Sequence, residues 1–219
     1  VTSAIESKGH PIARASREAL LSAAGETFAE RGYENATIKE ITDRAGVNVA
    51  SVNYYFRDKL GLYTEVLRQG LHNGRLALPP DCEGLSPEER LTRFIHSFMD
   101  SLVAAGRPSW CGRLMIRELA QPTPALPHVI EEIIRPNFLL LRQLVAGVAR
   151  VPLAEETLDL MTHGVHAQCV HWKTSRSIFP YLWPDLQLDQ AHVRRIGAHI
   201  AAFSIAGIRA TVDQEEGGR

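Results

Sequence analysis

The sequence predicts an all-α chain, and three observations carry that reading. Apolar residues recur three and four apart in one segment after another, the repeat of one face of a helix. No segment alternates apolar and polar residues over a useful length, so strands have no signal. Helix starts and stops are marked chemically by Thr, Asn, Ser, Gly and Pro at the ends of the periodic segments. At 219 residues with 45% hydrophobic residues, the chain is long enough for a sizeable core, in one large domain or two small ones.

Residues 1–13 read as an arm. Arg14 and Arg17 either meet a phosphate or the minor groove of a duplex, or belong to a solvated helix start. The first helix runs from Ala15 to Arg31, with Leu20, Leu21, Ala24 and Phe28 as its buried stripe and Gly32 ending it. Thr37 and Glu40 have the spacing of a capping box, and Ile38, Ile41 and Ala45 form the stripe of a short second helix. Gly46 supplies the left-handed turn after it. Asn48 caps a third helix, with Val47 and Val52 placed to close as a hydrophobic staple. Val49, Val52 and Phe56 fall on its inner face. Ala50, Ser51, Tyr54 and Tyr55 point away, with Asn53 on the shoulder.

Asp58 caps a fourth helix that begins near Lys59 and carries Leu62, Val66 and Leu67, until Leu78-Pro79-Pro80 breaks the pattern. Residues 79–87 are a linker. Ser86, Pro87 and Glu89 then open a helix with the stripe Leu91, Phe94, Ile95, Phe98, Leu102 and Val103, up to Gly106. Pro108 opens another, which Pro122-Thr123-Pro124 stops. A longer one covers residues 126–149, and Pro136 inside it is expected to kink or split it. Further helices span residues 153–173 and 188–212, joined by the apolar loop SIFPYLWP.

The outer flank of the third helix has small residues first, then an amide and two phenols, and no acid. Such a helix can enter a major groove closely. Asn pairs with adenine edges and Tyr hydroxyls reach phosphate oxygens. Lys59 adds a cation beside the backbone amides of the next helix start. Spacing alone also fits an ordinary helical hairpin with exposed tyrosines. Bulk charge gives no support to nucleic-acid binding: the net charge is −1, with +1 in residues 1–75 and −2 in the remainder.

Gly46-Val47-Asn48-x-x-x-Val52-Asn53-Tyr54-Tyr55-Phe56-x-x-Lys59, with Phe28-x-x-x-Gly32-Tyr33 and Thr37-Ile38 upstream, resembles the DNA-binding domain of TetR-family transcriptional regulators. The resemblance covers about residues 14–75 and implies a three-helix domain containing a helix-turn-helix. It implies DNA contacts at Thr37, Lys39, Val49, Ala50, Ser51, Asn53, Tyr54, Tyr55 and Lys59. Asn53 stands where the family usually has a first aromatic, Tyr55 where it often has His, and Leu60 where an acid commonly follows the lysine. These departures bear on the operator's base sequence and not on the fold. Arg113-Leu114-Met115-x-Arg117-Glu118-Leu119-x-x-Pro122-Thr123-Pro124 resembles the C-terminal domain of the CecR-like branch. Ile134-Arg135-Pro136, Gln168-Cys169 and Leu182-Trp183-Pro184 agree with it. The resemblance implies that residues 76–219 form a helical domain that binds a small molecule and dimerises.

Within that half, Phe94, Phe98, Trp110, Arg113, Arg117, His166 and Trp172 are the candidate effector residues. The aromatics suit an apolar pocket, and each is also a plain core residue by composition. Arg113 and Arg117 share a helix face; they either clamp an anion or pair with Glu131 or Glu132. His163, His166 and Cys169 step along one helix with His171 close behind. The spacing fits a metal or, more simply, a polar stripe and a buried thiol, and no metal or cofactor is expected. Ser175 and Ser177 near His171 lack a strained nucleophile turn and an orienting acid, so no enzyme is expected. Gly197, Ala198, Ala201, Ala202, Ala206 and Gly207 let the final helix approach a neighbour closely, either inside one chain or across a twofold axis built from the last two helices. The three cysteines are scattered, which fits a reducing cytoplasm and neither a zinc cluster nor a disulfide framework. No apolar run approaches a membrane span, and the first residues lack a signal peptide's apolar middle.

The sequence is therefore expected to encode a homodimeric, ligand-responsive transcriptional regulator. Its partners are a palindromic double-stranded operator, bound as a repressor, and a small-molecule effector that releases it. The alternative is a helical ligand-binding or metal-sensing module that never meets an operator.

Overall fold

The computed structural model describes residues 11–72, 84–103, 110–175 and 177–217. The helices are α1 (Pro11–Asn35), α2 (Ile38–Ala45), α3 (Ala50–Phe56), α4 (Lys59–His72), α5 (Pro87–Val103), α6 (Trp110–Ala120) and α7 (Leu126–Val129). A π-helical turn (Ile130–Ile134) comes next, followed by α8 (Arg135–Ala149), α9 (Glu155–Thr174), α10 (Phe179–Leu182) and α11 (Gln190–Gly217). Among the described residues there is no strand. Most of the arm, Pro79 and Pro80, the side chains of Leu102 and Val103, Gly106 and Pro108 lie outside the described residues.

The chain divides into two compact units. One joins Val1–Gly70 to Pro108–Val129; the other joins Leu71–Arg107 to Ile130–Arg219. Helix α6, though distant in sequence, packs in the first unit along α1. The core of that unit is built from Leu20, Leu21, Ala24 and Phe28 of α1, Ile41 of α2, Val52 and Phe56 of α3, and Leu62, Tyr63, Val66 and Leu67 of α4. Each such Leu, Ile, Val or Phe side chain contributes about 1.5–3 kcal/mol by leaving water. Helix α1 begins at Pro11, inside the segment expected to be an arm, and Gly32 (φ 80, ψ 169) kinks it where its end was expected, with helical residues continuing to Asn35. Phe28 meets the Tyr63 ring edge-on at 4.8 Å, and Tyr33 lies 4.9 Å from the same ring.

Trp110 fixes α6 against α1. A Cβ at Gly25 would stand 2.3 Å from its Cε2, so the indole occupies space that only glycine leaves open. Tyr63 Oη donates to Glu118 Oε2 at 2.6 Å, and Glu118 Oε1 accepts from the N–H and hydroxyl of Thr123, both at 3.0 Å. The pair is fully buried, and burial first, then the Glu118 carboxyl, push the Tyr63 phenol well above its ordinary range.

The second unit is a bundle of α5, α8, α9 and α11 around Leu91, Phe94, Ile95, Leu141, Leu144, Val145, Val165, Val193, Ile196 and Ile200. The capping box at its start is complete. Ser86 N–H donates to Glu89 Oε2 at 2.8 Å, and Glu89 N–H donates back to Ser86 Oγ at 3.2 Å. Glu88 accepts from Arg150, just past the end of α8, at 2.9 Å and from Arg209 of α11 at 2.8 Å. These partners, Arg209 foremost, hold its carboxyl down to about 2. Pro136 splits its segment as expected. Proline has no N–H for the carbonyl one turn back, and the π-helical turn ends two residues before it.

Candidate nucleic-acid interface

Local chemistry shapes the corner between α2 and α3. Thr37 is extended (φ −112, ψ 147), and its hydroxyl accepts the Glu40 N–H at 3.2 Å. The reciprocal half of the expected capping box does not form. Glu40 Oε1 turns to Arg31 Nε at 2.6 Å, because α1 brings a guanidinium closer than the Thr37 N–H. Gly46 takes the left-handed conformation (φ 67, ψ 31), its N–H returning to Asp43 O at 3.3 Å while Val47 N–H reaches Thr42 O at 3.1 Å. This closure satisfies carbonyls at the helix end, and a side chain there would be strained. Asn48 Oδ1 accepts the Ala50 N–H at 2.9 Å and so caps α3.

Val52 and Phe56 are buried, as the wheel requires, but Val49 is 48% exposed and does not belong to the inner face. Its backbone is already helical at φ −53 and ψ −36, in the first turn of a short helix. That turn lies at the edge of the packed surface. The exposure is compatible with the second role the sequence suggested for Val49, at the DNA surface.

The remaining outer residues form one flank. Ala50 and Asn53 are exposed, Ser51 and Tyr55 are half-buried, and Tyr54 is 81% exposed. The two phenol rings meet edge to face at 4.8 Å, which holds Tyr54 without covering it. No acid occurs in Ala50–Phe56. Thr37 is exposed at the start of α2, and Lys39 is exposed with Nζ 2.7 Å from Asp43 Oδ2. Lys59 is held more firmly. Its Nζ lies 4.7 Å from the centre of the Tyr33 ring and donates to Glu34 O at 3.2 Å. Asp58 caps α4 by accepting the Gly61 N–H at 2.7 Å. Arg14 and Arg17 pair with Glu18 and Glu65 at 3.0 and 2.6 Å.

This geometry is a helix-turn-helix with its second helix presented to solvent. Residues 20–66 match the family described as bacterial regulatory proteins, tetR family. Residues 87–208, more than half of the chain, match the C-terminal domain of the HTH-type transcriptional dual regulator CecR. The chain belongs to the TetR family of transcriptional regulators.

Relatives of this TetR-family chain include the HTH-type transcriptional regulator RutR of Escherichia coli K12. That protein is 31% identical over 112 residues, 51% of this chain and 51% of its own length. The HTH-type transcriptional activator FasR of Mycolicibacterium smegmatis is 42% identical over 67 residues, 30% of this chain and 31% of its own. The chain thus spans about half the length, or less, of these curated relatives. A crystal structure of a HlyIIR mutant carrying a linker with two thrombin sites is 25% identical, with a TM-score of 0.62 over 85% of this chain and 97% of that one.

The candidate effector residues of this TetR-family protein fall into two groups. Trp110, Arg113 and Arg117 belong to the first unit with α1; Phe94, Phe98, His166 and Trp172 belong to the second. Arg117 Nη2 donates to Arg31 O at 3.3 Å, and Arg113 is near enough to Glu30 to help lower its carboxyl. Glu131 pairs instead with Arg135 at 2.7 Å. In the second unit, Phe98 lies 6.4 Å from Phe94 and 5.8 Å from the His166 ring. Burial first, then His163, lower the His166 imidazole below its ordinary value, and burial pushes the Cys169 thiol up to about 12. His163 rests 4.7 Å from Phe138. Among the described residues, no three His, Cys, Asp or Glu side chains stand together as a metal site. Trp172 joins Phe179 and Trp183 at 4.9 and 6.4 Å, beside an open hollow of about 380 Å³ lined also by Leu182, Asp185 and His192. The helix α10 that carries Phe179 was read as loop. A proline in its first turn, directly after the buried Phe179, is its one sequence signal.

Proposed function

We propose that this TetR-family protein is a homodimeric repressor. It reads a palindromic operator with the flank Thr37, Lys39, Val49, Ala50, Ser51, Asn53, Tyr54 and Tyr55, and a small-molecule effector releases it. The observation that carries the reading is the acid-free outer face of α3, with Tyr54 81% exposed and Asn53 beside it. Asn53 reads base edges, the two phenols meet phosphates, and the small residues at the start let the helix enter the groove. One helix of this length covers few base pairs. A twofold pair reads half-sites about 34–36 Å apart, or a multiple of that.

The dimer forms through α9 and α11. Leu160 and Phe203 are 67% and 64% exposed, and Gly164, Ala167, Ala198, Ala202, Ala206 and Gly207 lie exposed on the same two helices. Small residues allow close helix approach, and the two large apolar side chains gain most from being covered. The effector enters the second unit among Phe94, Phe98, His166 and Trp172. Helix α6 lies within the stretch matched to the CecR C-terminal domain yet packs on α1 in the DNA-reading unit, which supports a part for Trp110, Arg113 and Arg117 in the response to effector. A tenfold loss of operator affinity needs a coupling of about 1.4 kcal/mol. The setting is the cytoplasm, where the operator is. No helix among the described residues is long and apolar enough to cross a membrane.

Light scattering of the purified protein, followed by gel shift on the DNA flanking its own gene with and without a panel of small metabolites, tests this reading. A dimer whose specific complex dissociates with one metabolite class supports it. A monomer, or a complex indifferent to every metabolite, counts against it.

A further inference from the structure

We infer that Arg57, and not Lys59, supplies the cationic phosphate contact at the C-terminal end of the reading helix. Every other Lys or Arg described between residues 11 and 72 is engaged. Arg14, Arg17, Arg31, Lys39 and Arg44 hold carboxylates, Arg68 pairs with Glu65, and Lys59 is bound to Tyr33 and Glu34 O. Arg57 is exposed and has neither an acidic nor a backbone-carbonyl partner for its guanidinium among the described residues. The adjacent acid, Asp58, caps α4 instead, its Oδ1 accepting the Gly61 N–H at 2.7 Å.

The backbone makes the same point independently. Arg57 terminates α3 at φ 77 and ψ −49, and its N–H returns to Asn53 O. A residue with a Cβ rarely occupies that region, and glycine would fit it far better. Strain of this kind persists only where the surrounding structure over-determines it, and it clusters at ligand-contacting positions. The turn is fixed from both sides: Phe56 is buried, and the Phe56 carbonyl reaches so close to α4 that a Cβ at Gly61 would stand 2.0 Å from it. A guanidinium unpaired among the described residues is therefore held two residues after Tyr55, on the side where a phosphate lies when α3 enters a major groove. A guanidinium matches a phosphate with two parallel N–H donors. Lys59 acts as a latch that ties the start of α4 to the end of α1.

This inference rests on the reading of DNA by α3. Its test is the salt dependence of duplex binding, followed by fluorescence anisotropy between 50 and 200 mM KCl. Each phosphate contact contributes about 0.9 to the slope of log affinity against log salt. For a dimer, R57A and R57G lower the slope by about 1.8, so wild-type affinity falls about twelvefold more across that range than the variants' does. R57G is the folding control, since it relaxes the turn while removing the charge. R57K keeps the slope, and K59A leaves it at the wild-type value. An unchanged slope in R57G, or an equal drop in K59A, overturns the assignment alone. A wild-type chain that binds no duplex overturns the DNA reading with it.

Discussion

Removing one oxygen atom from Tyr63 should cost this protein about 2 kcal/mol. In Y63F the ring keeps its contacts with Phe28 at 4.8 Å and Tyr33 at 4.9 Å, so little packing is lost. The lost bond is the one from Tyr63 Oη to Glu118 Oε2 at 2.6 Å. Glu118 is fully buried, and its other oxygen is already taken by Thr123. A hydrogen bond to a charged group contributes about 1.5–3 kcal/mol, and an oxygen left without its donor gains no water to replace it. For a chain of this length, about 2 kcal/mol corresponds to a fall in thermal midpoint of roughly 4–8 °C. Calorimetry and urea unfolding measure it. In the E118Q background Y63F should cost markedly less, because the two groups act as a pair. A Y63F protein within about 0.5 kcal/mol of wild type, or an equal loss in both backgrounds, would refute the reasoning.

Gly61→Ala should destabilise by about 2–3 kcal/mol, since its Cβ would meet the Phe56 carbonyl oxygen at 2.0 Å and backbone cannot step aside; urea unfolding checks it. Glu88 has a depressed carboxyl, so its contribution is complete above the ordinary value of 4.5 and is lost as pH falls towards about 2. The stability difference between wild type and E88Q should therefore shrink across that window in acid titrations followed by circular dichroism. Asn53→Ala should change which base is preferred at one position of each half-site, whereas Tyr54→Ala should weaken all sequences alike; binding arrays on single-base operator variants separate the two.

Much of the corner was legible in the sequence because its causes are local. Thr37, Gly46, Asn48 and Ser86 act on backbone groups two to five residues away, a range that spacing displays. Pro136 likewise announces the interruption before α8. What was not legible depends on residues distant in sequence. Glu40 abandons its capping role for Arg31, and Lys59 turns to Tyr33 and Glu34, partners set by the packing of α1 on its neighbours. A helical wheel fixed the direction of Val49 but not how far the packed surface extends to cover it. The fit of Trp110 on Gly25 draws α6 into the DNA-reading unit, and neither residue alone signals the other. Arg57 was not singled out at all, because its left-handed backbone and lack of a partner appear only in three dimensions.

The central claim is that paired α3 helices read DNA by their acid-free flank. Selection of binding sites from a random duplex library, with the purified protein and deep sequencing, tests it most directly. The account predicts enrichment of an inverted repeat whose half-site centres lie one helical turn apart or a whole multiple of it, lost when Tyr54 and Asn53 are both replaced by Ala. Enrichment of a single unrepeated element, or of the same repeat by that double variant, would contradict it.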